Sequence, residues 1–156
     1  MDSQDKRKNI QELEDAIELG RRVYYCLKRA EEKLDKASDW GLIDLVTANF
    51  ITSSIKHYRI REANEEIEKA RYYLKGFHRE LEQIVFPKDI SVKVGQLTRL
   101  ADVCLASRTM DLFVQDRIND TCEEVEKTKK QVRRVVLELK KFKELEEKEV
   151  AVVDAR

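Results

Sequence analysis

The stretch RIREANEEIEKARYYLKGFHRELEQI, residues 59–84, decides the fold that this sequence predicts. Its apolar residues recur at alternating steps of three and four, as Ile60, Ala63, Ile67, Ala70, Leu74, Phe77, Leu81 and Ile84. An α-helix places residues with this spacing along one side, so the pattern predicts a helix with a continuous apolar seam of the heptad type. We predict that the helix begins near Thr47 and ends at Val85, because Pro87 disfavours helical backbone at the residue before it.

Part of this phrase recurs as RINDTCEEVEKT, residues 117–128, within a second seam. The second seam consists of Ile118, Thr121, Val125, Thr128, Val132, Val135, Leu139 and Phe142. When residues 59–81 are aligned with residues 117–139, identical residues stand at Arg59, Ile60, Glu65, Glu66, Glu68, Lys69, Glu80 and Leu81. One interpretation is an internal duplication of a helix-corner-helix unit, with copies at residues 3–85 and 90–148. The other is convergence, because any two helices of a bundle need an apolar seam.

The first part of the chain predicts another long helix, from Ser3 to about Ala37, with two adjacent apolar stripes. One stripe is Ile10, Leu13, Ile17, Tyr24, Leu27 and Leu34, and the other is Ala16, Leu19, Val23, Cys26, Ala30 and Ala37. Two stripes make a wide apolar face, so we expect this helix to contact more than one neighbour.

Between and after these helices the sequence predicts shorter features. Residues 38–45, SDWGLIDL, predict a corner, because Ser and Asp favour helix caps and Gly41 supplies backbone freedom. Residues 88–95 predict a loop, and residues 97–114 a shorter buried helix that follows it. The last helix should fray after Lys148 and leave residues 149–156 as a flexible tail.

Composition supports an all-α protein. Of the 156 residues 40% are charged, four are glycine and one is proline, which is typical of long amphipathic helices. We therefore predict one domain, residues 1–148, that forms an elongated antiparallel helical bundle with coiled-coil-like packing, three long helices and a shorter one. The 31 basic and 31 acidic side chains cancel, so no overall field attracts nucleic acid or anionic lipid.

Other features of the chain predict a cytoplasmic protein. The first residues, MDSQDKRKNIQE, lack the apolar core of a signal peptide, and no apolar run is long enough to cross a bilayer. Cys26, Cys104 and Cys122 have no CxxC spacing, which favours reduced thiols.

The segment around the predicted corner resembles a family of uncharacterised bacterial helical proteins. Its members carry a pattern close to S-[DN]-W-G-x-x-D followed by K-H-x-x-I-x-x-A. The matching residues here are Ser38, Asp39, Trp40, Gly41, Asp44, Lys56, His57, Ile60 and Ala63. The family has glycines where this chain has Thr47, Ala48 and Asn49. The resemblance implies a helical fold and no settled activity.

The same corner holds the first candidate site, formed by Asp39, Trp40, Asp44, Lys56 and His57. One interpretation is a small polar pocket at the end of the bundle. The other is a capped turn, in which the carboxylates cap helix ends and the indole packs.

No catalytic residue, cofactor or bound metal is predicted. His57 and His78 lie about 31 Å apart on one helix at 1.5 Å per residue, and neither belongs to a Glu-x-x-His motif. The sequence contains no nucleophile–base motif and no glycine-rich phosphate loop.

The second candidate site is a basic face on the last helix. Its residues are Lys127, Lys129, Lys130, Arg133, Arg134, Lys140, Lys141 and Lys143, with Glu138 among them. This run predicts either a contact for phosphate, an anionic membrane or an acidic partner, or a solvated face lying near the acidic residues Glu12, Glu14, Asp15 and Glu18.

Together these patterns favour a non-enzymatic interaction or scaffold protein that binds a partner protein, or itself, through helix faces. Tyr24, Tyr58, Tyr72 and Tyr73 lie on or beside the seams and are candidate interface residues. The alternatives are a ligand- or metal-binding bundle that uses the corner at residues 39–57, and a protein that binds anionic lipid or nucleic acid through the basic face. No small-molecule substrate is predicted.

Overall fold

The computed structural model describes residues 3–47, 50–88, 90–92, 94–97, 99 and 115–155, with the side chains of residues 4–35, 58–99 and 121–155 inside those ranges. Three long helices account for most of them: α1 (Ser3–Thr47), α2 (Phe50–Gln83) and α3 (Gln115–Asp154). Residues 88, 90–92, 94–97 and 99 are also helical. The protein is an all-α bundle, as predicted, with no strand among the described residues.

Helix α1 packs against both other helices and runs antiparallel to each. On one side Arg29 pairs with Glu66 at 3.0 Å and Lys33 pairs with Glu62 at 2.9 Å. On the other side Glu14 pairs with Lys143 at 2.6 Å. Ion pairs also join Glu31 to Lys129 and Lys6 to Glu149, so later residues of α1 meet earlier residues of α3. Helices α2 and α3 are therefore parallel, and their described backbones stay more than 8 Å apart.

Both predicted seams are buried. The seven seam residues within α2 are buried, and so is Ile84, which follows the end of that helix. The seven α3 seam residues from Thr121 to Phe142 are also buried, while the side chain of Ile118 lies outside the described residues. Ile67 and Val125, which occupy the same position in the two phrases, are 7% and 5% exposed. They line one small apolar cavity of about 30 Å³ between the three helices. The two phrases therefore bury equivalent helix faces at the same level along the bundle.

In α1 the buried seam crosses the two predicted stripes. It consists of Asn9, Leu13, Ala16, Gly20, Val23, Leu27, Ala30 and Leu34. Ile10, Ile17 and Tyr24 of the predicted first stripe are only half-buried. Gly20 and Glu31 occupy two positions in the frame of the first stripe, and of these Gly20 is buried. The prediction did not include Asn9, because a search for apolar periodicity does not detect a polar residue inside a seam. The prediction of two neighbours for this helix is confirmed.

The prediction of a corner at residues 38–45 is wrong, because the backbone there is helical. Helix α1 continues through these residues to Thr47, so Asp39, Trp40 and Asp44 stand inside a helix. The segment contains no proline, and a single glycine in a helix interior costs only about 1 kcal/mol. Continued helical hydrogen bonding on both sides of Gly41 exceeds that cost. Helix α1 ends at Thr47 and α2 begins at Phe50.

Two other boundaries also differ from the predictions. Residues 88–95 are helical where described, and the Ser91 N–H donates to the carbonyl of Pro87 at 3.0 Å. Proline suits the first turn of a helix, and Ile90, Val94 and Leu97 bury one helical face. The last helix continues past Lys148 to Asp154, where Arg7 of α1 donates to the Asp154 carboxylate at 2.9 Å and 3.1 Å. Residues 98 and 100–114 of the predicted shorter helix lie outside the described residues.

Side chains from the other two helices approach the α1 backbone closely at Gly20. A Cβ atom built there would lie 2.5 Å from Cγ2 of Val136 on α3 and 3.0 Å from Cζ of Phe77 on α2. The glycine therefore makes room for two core side chains at once. Gly76, inside α2, is different, because a Cβ there would meet Leu19 at an ordinary 3.5 Å.

We expect Gly20→Ala to lower the free energy of unfolding by about 1–2 kcal/mol. Overpacking a core costs about 1–3 kcal/mol, and the better helix propensity of alanine offsets at most about 1 kcal/mol of that cost. Gly76→Ala is the matched control and should raise the free energy of unfolding by about 0.5–1 kcal/mol. Urea denaturation followed by circular dichroism measures both. Equal shifts of the two variants in the same direction would contradict the close approach at Gly20.

Candidate functional site

The predicted corner site is divided between two helices. Asp39, Trp40 and Asp44 belong to the final turns of α1, and Lys56 and His57 belong to the first turns of α2. All five side chains lie outside the described residues, so the prediction of a pocket there stays a prediction. The capped turn proposed as its alternative does not form at residues 38–45, because the backbone there is helical.

The described thiols and the described histidine are poorly placed for chemistry. Burial raises the pKa of the Cys26 thiol, and the Arg29 guanidinium, 3.5 Å from Sγ, only partly lowers it. Burial also raises the pKa of Cys122, as do the neighbouring carboxylates Asp35 and Glu31. Both thiols are therefore held in the neutral, weakly nucleophilic form. His78 lies 3.7 Å from Glu82 one turn away, and the described side chains contain no group of three metal-ligating residues.

Most of the basic run on α3 is neutralised by nearby carboxylates. Lys129 and Lys143 reach across to Glu31 and Glu14 of α1. Three others pair with a glutamate on their own helix: Lys127 with Glu123, Lys130 with Glu126 and Lys141 with Glu138. Five of the eight cations of the predicted basic face therefore have a carboxylate partner on α1 or α3. Of the acidic residues expected beside it, Glu14 is the one for which the described contacts include an ion pair with α3.

The rest of the run, Arg133, Arg134 and Lys140, makes no ion pair within the described part of the chain. Arg133 and Lys140 line an open groove of about 410 Å³ between α1 and α3. We call this the basic groove, and its residues are Arg21, Tyr24, Tyr25, Arg133, Val136, Leu137 and Lys140. Arg134 is adjacent in sequence but does not line it.

Heptad geometry explains how these side chains meet. Arg133 and Lys140 are separated by one heptad, which is about 10.5 Å along a helix, and they share the side of α3 that carries Val136. Val136 is buried against Gly20 and forms the floor of the groove. Arg21 and Tyr25 of α1 form the opposite wall of the groove.

The basic groove combines unpaired cations with exposed apolar surface. Tyr25 is 50% exposed and Leu137 is 47% exposed. The rings of Tyr24 and Tyr25 meet edge to face, with centroids 5.6 Å apart and planes at 73°. No carboxylate lines the groove, and Arg21, like Arg133 and Lys140, makes no ion pair to the described residues. The local charge is therefore positive in a protein whose formal net charge is zero.

The opposite side of α1 shows the contrasting arrangement. Arg29 and Lys69 both donate to Glu66, and Lys33 and Arg59 both pair with Glu62. Burial tends to raise the pKa of the Glu66 carboxyl, but the hydrogen bonds from Lys69 and Arg29 hold that pKa below its ordinary value. Each of these four cations therefore has a carboxylate partner, unlike the cations of the basic groove among the described residues.

The other predicted interface tyrosines lie on a separate surface. Tyr58 and Tyr72 are exposed on α2, Tyr72 by 75%, and Tyr73 is half-buried beneath Arg22 with a 5.6 Å cation–π distance. Tyr72 and Tyr73 border a shallow cleft that also contains two acidic and two basic residues, Glu65, Glu68, Arg61 and Lys69. Balanced charge there gives no preference for a partner of either sign.

Sequence reasoning missed part of the basic groove. It identified Arg133, Lys140 and Tyr24 as candidates, but not Arg21, Tyr25 or Leu137. A signal existed on α3, where Leu137 lies outside the seam between two cations one heptad apart. Single exposed apolar residues are common on protein surfaces, so this signal was too weak to identify a contact surface by itself. No comparable signal linked this part of α3 to Arg21.

Comparison with protein-family models, with curated proteins and with solved structures found no match to this chain. The resemblance to a bacterial helical family therefore stays a prediction. Within the described residues, none of the helices has an apolar stretch long enough to cross a membrane.

Proposed function

We propose that this chain is a non-enzymatic helical interaction protein that binds a partner protein through the basic groove. The observation that carries the proposal is the half-exposed pair Tyr25 and Leu137 beside three cations that make no ion pair to the described residues. Three other lysines of α3, Lys127, Lys130 and Lys141, are paired with glutamates on the same helix. A partner would supply what these groove residues lack, namely apolar cover and opposite charge.

Residue type supports a protein partner. Tyrosine and arginine are enriched at the energetically dominant positions of protein interfaces, because both offer a large apolar body with a polar end. The floor of the groove is held by the contact between Gly20 and Val136, so the surface is largely preformed. A preformed surface avoids part of the entropy cost of binding.

The groove does not suggest a reaction. Its residues are cations, tyrosines and aliphatic side chains, with no carboxylate, histidine or cysteine to act as an acid–base pair or a nucleophile. The proposal therefore assigns binding without catalysis. We place it in the cytoplasm, since the free thiols Cys26 and Cys122 suit a reducing compartment.

We also propose that the two phrases arose by internal duplication and that their helices pack in the coiled-coil manner. Two observations support this: α2 and α3 are parallel, and the equivalent residues Ile67 and Val125 line the same cavity. Convergence is the alternative. If the duplication is real, residues 59–81 and 117–139 should be more similar to each other in the reconstructed ancestral sequence of this chain and its relatives than they are in this chain.

The interaction function is tested by capture from an extract of the native cell at low salt. Wild-type protein, a Tyr25→Ser/Leu137→Ser groove variant and a Tyr72→Ser control are immobilised, and bound proteins are quantified by mass spectrometry. We expect one protein in near-stoichiometric amount on the wild type and the control, and its loss on the groove variant. Equal capture on all three, or none on any, would overturn the proposal.

Light scattering of the purified chain is a parallel measurement. A dimer that the groove variant dissociates and the Tyr72→Ser control retains would identify the partner as a second copy of the chain. Circular dichroism must show equal helicity for all three proteins, so that loss of fold is not mistaken for loss of binding.

A further inference from the structure

Building on the proposed function, we propose that the occupant of the basic groove is an acidic amphipathic α-helix of a partner protein. Its carboxylates, one heptad apart, would face Arg133 and Lys140, and its apolar side chains would cover Tyr25 and Leu137. A further carboxylate on its other flank would meet Arg21.

The spacing of the cations favours this occupant. Arg133 and Lys140 are about 10.5 Å apart along α3, and Arg21 lies across the groove. A ligand with anionic groups spaced along α3 meets the cations and fills the groove of about 410 Å³, whereas a single small anion leaves most of that volume unfilled. Carboxylates at positions i and i+7 of a helix have the same separation, because a ligand helix lying along α3 has the same rise per residue.

The apolar surface between the cations favours an amphipathic partner over a purely polar one. Leu137 stands on α3 between Arg133 and Lys140, and Tyr25 faces it from α1. A highly charged, flexible acidic segment would satisfy the cations and leave both apolar side chains half-exposed. An amphipathic helix satisfies both, and it fits a groove between two helices as helices commonly pack, at axial separations of about 8–10 Å.

The surroundings argue against the two other anionic partners. Nucleic acid binds through several phosphate contacts on an outward cationic face, but Lys127, Lys130 and Lys141 on that face are paired with glutamates. A bilayer surface is flat, whereas the basic groove is recessed and its floor residue Val136 is buried. Both partners remain as outcomes of the test.

The probe is a fluorescent synthetic peptide of about 18 residues, cross-linked within one turn to stay helical, since short helices are marginal in water. It carries Glu at i and i+7 and Leu at i+3 and i+4. Fluorescence anisotropy should show saturable binding to wild type at about 150 mM salt. An Arg133→Glu/Lys140→Glu variant should weaken binding at least about tenfold, because two attractive contacts become repulsive.

Arg134→Glu is the matched control. It reverses a cation on the same helix that is also exposed and without an ion pair, but it does not line the groove. At this salt concentration the Debye length is about 8 Å, so the control should change affinity less than about twofold. A peptide with Lys in place of both Glu should bind the charge-reversed variant better than the wild type, which a merely unfolded variant would not do.

Three results would overturn the proposal. One is an absence of saturable binding by the acidic peptide. Another is equal weakening by the groove variant and by Arg134→Glu. The last is tighter binding of a single-stranded oligonucleotide, or of phosphatidylserine vesicles, with the same dependence on Arg133 and Lys140.

The two proposals can fail separately. If the cellular partner is lost on the Tyr25→Ser/Leu137→Ser variant but retained on Arg133→Glu/Lys140→Glu, the interaction function stands and the acidic helix is excluded. If every groove variant captures the cellular partner as well as the wild type does, the proposed interaction function is wrong.

Discussion

Replacing Phe77 by alanine should lower the free energy of unfolding by about 3–5 kcal/mol, the range measured for buried aromatic residues. Phe77 is fully buried, and its ring lies against Gly20 of α1 beside Val136 of α3. The surrounding residues cannot collapse easily, because helix backbones hold them on three sides. The loss is a large share of the 5–15 kcal/mol typical of natural proteins.

Tyr72→Ala is the control for that prediction. It removes an aromatic ring from the same helix, but the ring is 75% exposed and its described aromatic contact is edge-to-face with Tyr73, at 5.5 Å between centroids. We expect a change of less than about 1 kcal/mol. Chemical denaturation measures both variants. If Phe77→Ala cost no more than Tyr72→Ala, the three-helix contact at Gly20 would be wrong.

Replacing Leu139 by alanine should lower the free energy of unfolding by about 2–5 kcal/mol. Leu139 is fully buried in the seam of α3, at the position that aligns with Leu81 in the seam of α2. Its removal leaves a cavity lined by helices that are held apart by their other seam residues. Thermal and urea denaturation should report the loss together.

Leu137→Ala makes the same chemical change two residues away and should cost less than about 1 kcal/mol, because Leu137 is 47% exposed in the basic groove. Comparison of the Leu139→Ala and Leu137→Ala variants therefore separates an effect on folding from an effect on binding. Leu139→Ala should weaken the fold, and Leu137→Ala should weaken binding to the partner with little effect on the fold. If Leu137→Ala lowered the free energy of unfolding more than Leu139→Ala does, the assignment of the buried side of α3 would be wrong.

The heptad pattern of α2 was sufficient to predict its buried side residue by residue. Every step from Ile60 to Ile84 alternates three and four, and the pattern contains only apolar residues, so no alternative face competes. The seam of α1 was less predictable because Asn9 and Gly20 belong to it. Asn9 is buried where its Oδ1 accepts a hydrogen bond from the Val85 N–H at 3.3 Å, a contact with the end of another helix.

Local turn signals were less reliable than periodicity. Ser38, Asp39 and Gly41 predicted a corner, yet α1 passes through them. Residues 88–95 predicted a loop, yet Ile90 and Val94 lie on a buried helical face. Capping and turn preferences are worth about 1 kcal/mol each, so a long helix with packed neighbours can override them.

By itself, the sequence determined that the chain is helical and which side of α2 and α3 is buried, because the 3.6-residue period places residues three and four apart on one side. Only the tertiary structure decided which cations are left without an ion pair. Lys129 meets Glu31 and Lys143 meets Glu14 because α1 and α3 pack antiparallel at one particular register, whereas Arg133 and Lys140 face tyrosines and another arginine. Side chains remote in sequence become partners only when that register is set, and the basic groove exists for this reason.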